Sequence, residues 1–261
     1  MECFDSLIVD LDGVVWRDGA PIAGNVEALR SLAERGVPIV YLTNNSTRSR
    51  RVYSRLLTDI LGYKVSADMV VNSGYSAAEW IRRRLGPTIV LPVGEEGLVE
   101  ELALAGHTVA TPSEWRLAKA VAVGLDRSLT YRKLAAAHKA IVYAGALFVA
   151  TNRDRTYPVA DGLEPGAGAV VAALEASVGR PPDFDAGKPG EWILGLALER
   201  LQDSKNPLVV GDRVETDIEM ARKAGIKSLL VLTGVTRKPP EGVVAARDLS
   251  SALREGIVAP C

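Results

Sequence analysis

A chain of 261 residues, 48% hydrophobic and 24% charged, is long enough to bury a full core and has the composition of an ordinary soluble globular protein. Its formal net charge of −1 supplies no basic surface for nucleic acid or an acidic membrane. No stretch approaches the roughly 20 apolar residues of a spanning helix, and the acidic start Met1-Glu2-Cys3-Phe4-Asp5 lacks the basic opening of a signal peptide, so a cytoplasmic protein is expected.

Strand-like and helix-like segments alternate almost throughout, the pattern of a parallel α/β sheet. An apolar strand at 7–11 runs into Asp10-Leu11-Asp12-Gly13, and an amphipathic helix follows at 22–35, closed by Gly36 with Pro38 just beyond. A second buried strand at 37–44 ends in Thr43-Asn44-Asn45-Ser46. A helix over 50–61, a short strand at 69–72 and a helix at 76–85 lead to Gly86-Pro87, which reads as a domain boundary. Beyond it, strands at 88–92, 107–110, 120–125 and 147–151 alternate with helices at 96–105, 131–143 and 167–178. Gly179-Arg180-Pro181-Pro182 reads as a second boundary. After it come a helix at 192–201, the strand 207–211, a helix at 216–224 and a strand at 228–233. The expected architecture is a discontinuous Rossmann-like α/β core, residues 1–85 and 183–261, carrying an inserted α/β domain at 86–182.

Four strand ends or loops bear polar groups that suit one chemistry. Asp10 and Asp12, spaced i, i+2 at the carboxyl end of a buried strand, place two carboxylates where open α/β sheets bind ligands. Their mutual repulsion is relieved by a divalent cation, and aspartate oxygens with water suit Mg²⁺. Thr43-Asn44-Asn45 offers a hydroxyl and two amides, Gly187-Lys188-Pro189 a lysine in a rigid turn, and Gly211-Asp212 through Asp217 two further acids. Singly, each has an ordinary explanation: a helix cap for Thr43, a solvated lysine for Lys188, turn and helix-start residues for Asp212 and Asp217. Jointly and in this order they are much harder to dismiss.

With these motifs the chain resembles the haloacid dehalogenase (HAD) superfamily, and more narrowly its NagD-like, 4-nitrophenylphosphatase branch with a type IIA cap in the C2 position. The narrower resemblance rests on Leu42-Thr43-Asn44-Asn45-Ser46, Val123-Gly124-Leu125-Asp126-Arg127, Ala150-Thr151-Asn152, Pro165-Gly166-Ala167-Gly168, Gly187-Lys188-Pro189 and Gly211-Asp212-Arg213. One local departure is Arg153, in a segment that the family often writes Thr-Asn-Pro-Asp. The resemblance implies a Mg²⁺-dependent phosphatase acting on small phosphomonoesters. It implies Asp10 as nucleophile and Asp12 as general acid and base. The metal ligands would be Asp10, Asp212 and the backbone carbonyl of Asp12, with Asp217 holding a metal-bound water or orienting Lys188. Phosphate would be bound by Lys188, Thr43, Asn44 and Asn45, and Asp154, with Thr151 and Asn152, would face substrate from the cap. The second aspartate of the first motif points to a phosphatase or mutase, since the dehalogenases lack it.

Three other readings compete. A phosphoaspartate receiver module is far shorter, lacks an inserted domain and carries its phosphoacceptor on another strand. A degenerate, non-catalytic binding protein is disfavoured by four intact motifs. A phosphomutase of this superfamily generally has a helical cap. His107 and His138 lie outside every motif and read as structural, and Gly166-Ala167-Gly168 lacks the last glycine of a dinucleotide loop. Cys3 and Cys261 show no metal-ligand spacing and are expected as two separate thiols, although chain ends often lie close enough to bridge. A single glutamine, Gln202, and 3 methionines lean toward thermal adaptation. A homodimer is compatible with the sequence, but no patch for it is readable.

Overall fold

A computed structural model describes residues 2–17, 19–159 and 161–261. The chain divides into two compact units, one of Met1–Thr43, Tyr53–Val71 and Lys188–Cys261, the other of Asn44–Val52 and Asn72–Gly187.

The first unit is built on a six-stranded sheet in the order Ala245–Ala246, Lys227–Val231, Pro207–Gly211, Ser6–Val9, Ile39–Thr43, Val70–Asn72. Every residue of Ser6–Val9 and Ile39–Thr43 is buried, as expected for strands covered on both faces. Ser6–Val9 is central and pairs in parallel with both neighbours, Val9 opposite Tyr41 on one side and opposite Val210 on the other. That register sets Asp10, Thr43 and Asp212 at the carboxyl ends of three adjacent strands. Alternate strand residues Leu7, Val9, Tyr41, Leu208 and Val210 enter one apolar cluster with Leu29 and Leu32 of the helix Ala23–Glu34 and Leu57 and Leu61 of Arg50–Leu61.

Two connections in this unit have no local sequence signal. Glu2–Phe4 pairs in parallel with Val258–Pro260, Cys3 standing opposite Ala259, and a disulfide joins Cys3 to Cys261. The expectation of two separate thiols is therefore corrected: the ribbon brings the two ends of the chain together. Val214–Ile218 is a single π-helical turn, with both Asp217 N and Ile218 N donating to the Arg213 carbonyl, and only then does the α-helix Glu219–Lys223 begin.

The second unit holds a five-stranded sheet in the order Phe184–Asp185, Leu147–Ala150, Ala120–Val123, Ile89–Val93, Thr108–Val109, parallel throughout. Its middle strands bury both faces. Val121, Val123 and Phe148 pack with the helices Tyr131–Ala144 and Ala167–Val178, while Ala120, Ala122 and Val149 pack with Ser73–Leu85 and Glu96–Leu104. The expected boundaries at 86 and 182 shift outward for this reason. The helix Ser73–Leu85 covers the second sheet, and after Pro182 the chain returns to add the strand Phe184–Asp185, whose Phe184 stacks on Trp80 at 4.3 Å. A hairpin, Thr156–Val159 with the exposed Gly162–Pro165, was not evident in the sequence.

Candidate active site

The carboxyl end of the first sheet gathers Asp10, Asp212, Asp217 and Lys188, all buried. Lys188 Nζ donates to Asp10 Oδ1 at 2.6 Å, to Asp217 Oδ1 at 2.7 Å and to the Leu42 carbonyl at 3.4 Å. The second oxygen of Asp217 accepts from Arg213 N at 3.1 Å and Thr216 Oγ1 at 3.4 Å, contacts that the π turn makes possible by wrapping residue 217 back over the strand end. Asp212 Oδ2 accepts from Val235 N at 2.5 Å. Thr43 is buried at the end of its strand.

Glycines make room for this cluster. Gly13 has φ +86°, and a Cβ there would meet Asp212 Oδ2 at 2.4 Å; one on Gly211 would meet Asp217 Cβ at 2.2 Å. Below the Gly13 turn, Thr233 Oγ1 donates to the Gly13 carbonyl at 2.6 Å and Asn25 Nδ2 to the Val14 carbonyl at 2.8 Å. Neither Thr233 nor Asn25 belongs to a motif recognised in the sequence.

Oxygens from Asp10, Asp212 and Asp217 lie within 4.8 Å of one another. Burial pushes the Asp10 carboxyl well up, and the neighbouring Asp217 and Asp212 add to this against the opposing pull of Lys188. Burial and Asp217 likewise raise Asp212 to about 6. For Lys188, burial disfavours the ammonium, but Asp10 and Asp217 more than compensate and raise it. Three buried carboxylates facing one ammonium leave an excess of negative charge in an all-oxygen setting, which fits a small hard divalent cation such as Mg²⁺. The Asp12 carboxylate does not join the cluster. Its Oδ1 accepts from Trp16 Nε1 at 2.9 Å.

A linkage consequence can be measured. The folded-state Asp212 value lies above the ordinary aspartate value of about 4, so the unfolded chain loses this proton first as pH rises. The metal-free protein is therefore expected to lose stability as pH rises from about 4 to about 6 and to gain none of it back above that. Bound Mg²⁺ competes for the same oxygens, so its apparent affinity should fall as pH drops from 7 to 5. Calorimetric titration at a series of pH values checks both the sign and the window.

Asn44, Asn45 and Asp154 lie in the second unit. Asn44 Nδ2 donates to both oxygens of Asp154 at 3.2 and 3.3 Å. The Asn44 carbonyl accepts from Ser73 Oγ at 2.5 Å and Asn152 Nδ2 at 2.8 Å, and Asn152 Oδ1 accepts from Asp154 N at 3.0 Å. Asn45 Oδ1 closes a local turn on Thr47 N and Oγ1 at 3.0 and 2.7 Å. Thr151 is buried and within 3.4 Å of Ser46 Oγ. Arg153, the departure from the family pattern, pairs with Glu175 and Asp185. His107, buried, is satisfied by the Ala78 carbonyl and Thr88 N.

Comparison with known proteins places this geometry. Residues 7–108 match the haloacid dehalogenase-like hydrolase family and residues 185–252 a second, HAD-hydrolase-like family. Phosphoglycolate phosphatase 2 of Arabidopsis thaliana is 34% identical over 89% of this chain and 84% of its own. A p-nitrophenyl phosphatase from Archaeoglobus fulgidus superimposes with a TM-score of 0.87 at 34% identity, covering 97% of this chain and 99% of that one. A glycerol phosphate phosphatase from Mycobacterium tuberculosis, solved in complex with magnesium, gives a TM-score of 0.83 at 39% identity over 95% of this chain and 76% of that one. With four motifs gathered at one sheet end and relatives of this similarity across nearly its whole length, the chain belongs to the haloacid dehalogenase-like hydrolases, in the branch of NagD and the p-nitrophenyl phosphatases.

Proposed function

We propose that the protein is a Mg²⁺-dependent phosphatase that hydrolyses small phosphomonoesters through a phosphoaspartate on Asp10. The observation that carries this is the buried Asp10–Lys188–Asp217 bridge beside Asp212. A phosphate dianion and an anionic nucleophile repel each other, so the site must supply positive charge before they meet. Mg²⁺, held by Asp10, Asp212 and the Asp12 carbonyl, would supply most of that neutralisation.

The chain's own groups do the rest. Lys188 fixes the plane of the Asp10 carboxylate and adds a second cation, itself oriented by Asp217. An Asp10 oxygen attacks phosphorus while the ester P–O bond breaks, and Asp12 gives its proton to the departing alkoxide. Asp12 then takes a proton from the water that attacks phosphorus and releases Asp10. Thr43 donates to the transferring oxygens from its strand end. The second unit, through Asn44, Thr151, Asn152 and Asp154, is assigned the choice of leaving group.

Relatives named for phosphoglycolate and glycerol phosphate support short-chain carbon phosphates as the substrate class. The test is phosphate release from a panel of such esters with and without Mg²⁺, alongside Asp10→Asn. Metal-dependent release lost by at least about a thousandfold in the variant is the expected result. A folded, metal-binding protein that releases nothing would move the assignment to a binding role.

Among the described residues no helix is long and apolar enough to cross a membrane. A cytoplasmic location is proposed together with the Cys3–Cys261 bond, since intracellular disulfides do occur in hyperthermophile proteins.

A further inference from the structure

We propose that Asn25 and Thr233 are positioning residues for the metal ligand Asp212: together they clamp two loops against its carboxylate and hold the site to the geometry of a small cation. The inference rests on the reading of Asp212 as a Mg²⁺ ligand given above.

Asn25 lies in the first turn of the helix Ala23–Glu34 and is 0% exposed. A buried amide is costly unless its hydrogen-bonding capacity is used. Here Nδ2 donates to the Val14 carbonyl at 2.8 Å and to Thr233 Oγ1 at 3.3 Å. Oδ1 accepts from Leu249 N at 2.6 Å, a donor for which the start of the helix Leu249–Arg254 has no partner of its own. Thr233 carries the connection further: its Oγ1 accepts from Asn25 and donates to the Gly13 carbonyl at 2.6 Å. One amide and one hydroxyl thus join the turn after Ser6–Val9, the loop after Lys227–Val231 and the start of a helix.

Both loops lie against Asp212. A Cβ on Gly13 would fall 2.6 Å from Asp212 Cγ and 2.9 Å from the Gly234 Cα, and a Cβ on Gly234 would fall 2.5 Å from Asp212 Cβ. Val235 N donates to Asp212 Oδ2 at 2.5 Å and Thr236 N to the Asp212 carbonyl at 3.1 Å. The carboxylate is therefore gripped between two glycine-bearing segments whose spacing is set from below by Asn25 and Thr233. Held in this way, it has little freedom to follow an ion of different radius. Mg²⁺ demands a near-ideal octahedron at about 2.1 Å, whereas Ca²⁺ accepts roughly six to eight oxygens in a flexible arrangement at about 2.3–2.6 Å. Loosening the clamp should therefore cost Mg²⁺ more than Ca²⁺.

The test reads the site without turnover, by calorimetric titration of the metal-free protein with Mg²⁺ and with Ca²⁺. Thr233→Val removes the hydroxyl and keeps the branched shape. It is expected to weaken Mg²⁺ binding about tenfold, the usual scale for losing a group that orients a ligand, and Ca²⁺ binding about threefold or less. Thr233→Ser retains the hydroxyl and should keep the parent's ratio of the two affinities. So should Tyr63→Phe, which removes the Tyr41–Tyr63 hydroxyl hydrogen bond in the same unit and touches neither loop. If Thr233→Val does not fold, Thr233→Ala is read in the same way. A folded hydroxyl-free variant with the parent's ratio of Mg²⁺ to Ca²⁺ affinity would overturn the clamp. Asp212→Asn binding Mg²⁺ as tightly as the parent would instead overturn the reading of Asp212 as a ligand.

Discussion

Replacing Lys188 with methionine is expected to destabilise the metal-free protein by about 3–5 kcal/mol, the usual consequence of stripping one partner from a buried ion pair. Lys188 and Asp217 side chains are 3% and 2% exposed, and Asp10 is 10% exposed, so water cannot replace the missing ammonium. The loss should be greater at pH 8 than at pH 5. Burial and two neighbouring carboxylates already raise Asp10, and without Lys188 nothing of comparable strength opposes them, so the folded state recovers by taking up a proton in acid. Mg²⁺ should restore much of the stability and none of the activity, because it neutralises the acids but does not orient the Asp10 carboxylate. Phosphate release should fall by about a hundredfold to a thousandfold or more. Thermal melts across pH, with and without Mg²⁺, read the stability arm. A metal-free variant as stable as the parent would mean that the ammonium is not the counter-charge of this cluster.

The second large effect concerns the Cys3–Cys261 bond. It closes a loop with a sequence separation of 258, for which the chain-entropy account gives an upper figure of about 5 kcal/mol. For a protein of this size that corresponds to a fall in Tm of about 10–20 °C on reduction or in Cys3→Ser. Both cysteines belong to the first unit, so if the two units melt separately the shift falls on that unit's transition. Scanning calorimetry with and without reductant measures it. A change below about 2 °C would mean that the Glu2–Phe4 and Val258–Pro260 ribbon opens before the rest of the unit unfolds.

Much of this was readable from local pattern. The helices Arg50–Leu61 and Ala167–Val178 and the strand Pro207–Gly211 begin and end where their apolar spacing and flanking Gly and Pro place them. The four motifs were legible because strand register is fixed by burial, and a polar residue ending a fully apolar strand has few places to go. What was not legible depends on distant partners. The Glu2–Phe4 strand is held by residues near 258, and the extent of the second unit by the return of Phe184–Asp185 to Leu147–Ala150. The helix expected from residue 216 is preceded by a π turn because Asp217 is tied to Arg213 N and Lys188. Trp16 went unread for a different reason: after Val14-Val15 it looks like one more apolar residue, and only the fold shows that its N–H is spent on Asp12.

The central position of Ser6–Val9 also bears on synthesis. One of the two partners of this strand, which leads into Asp10, is Pro207–Gly211, made roughly 200 residues later. The second unit's sheet, by contrast, draws on strands between Ile89 and Asp185 and is complete before that partner exists. At translation rates of about 5–20 residues per second, the first strand waits for roughly 10–40 s with one edge unpaired. All strands of the second unit's sheet are thus available for pairing before the sheet that positions Asp10 can be completed.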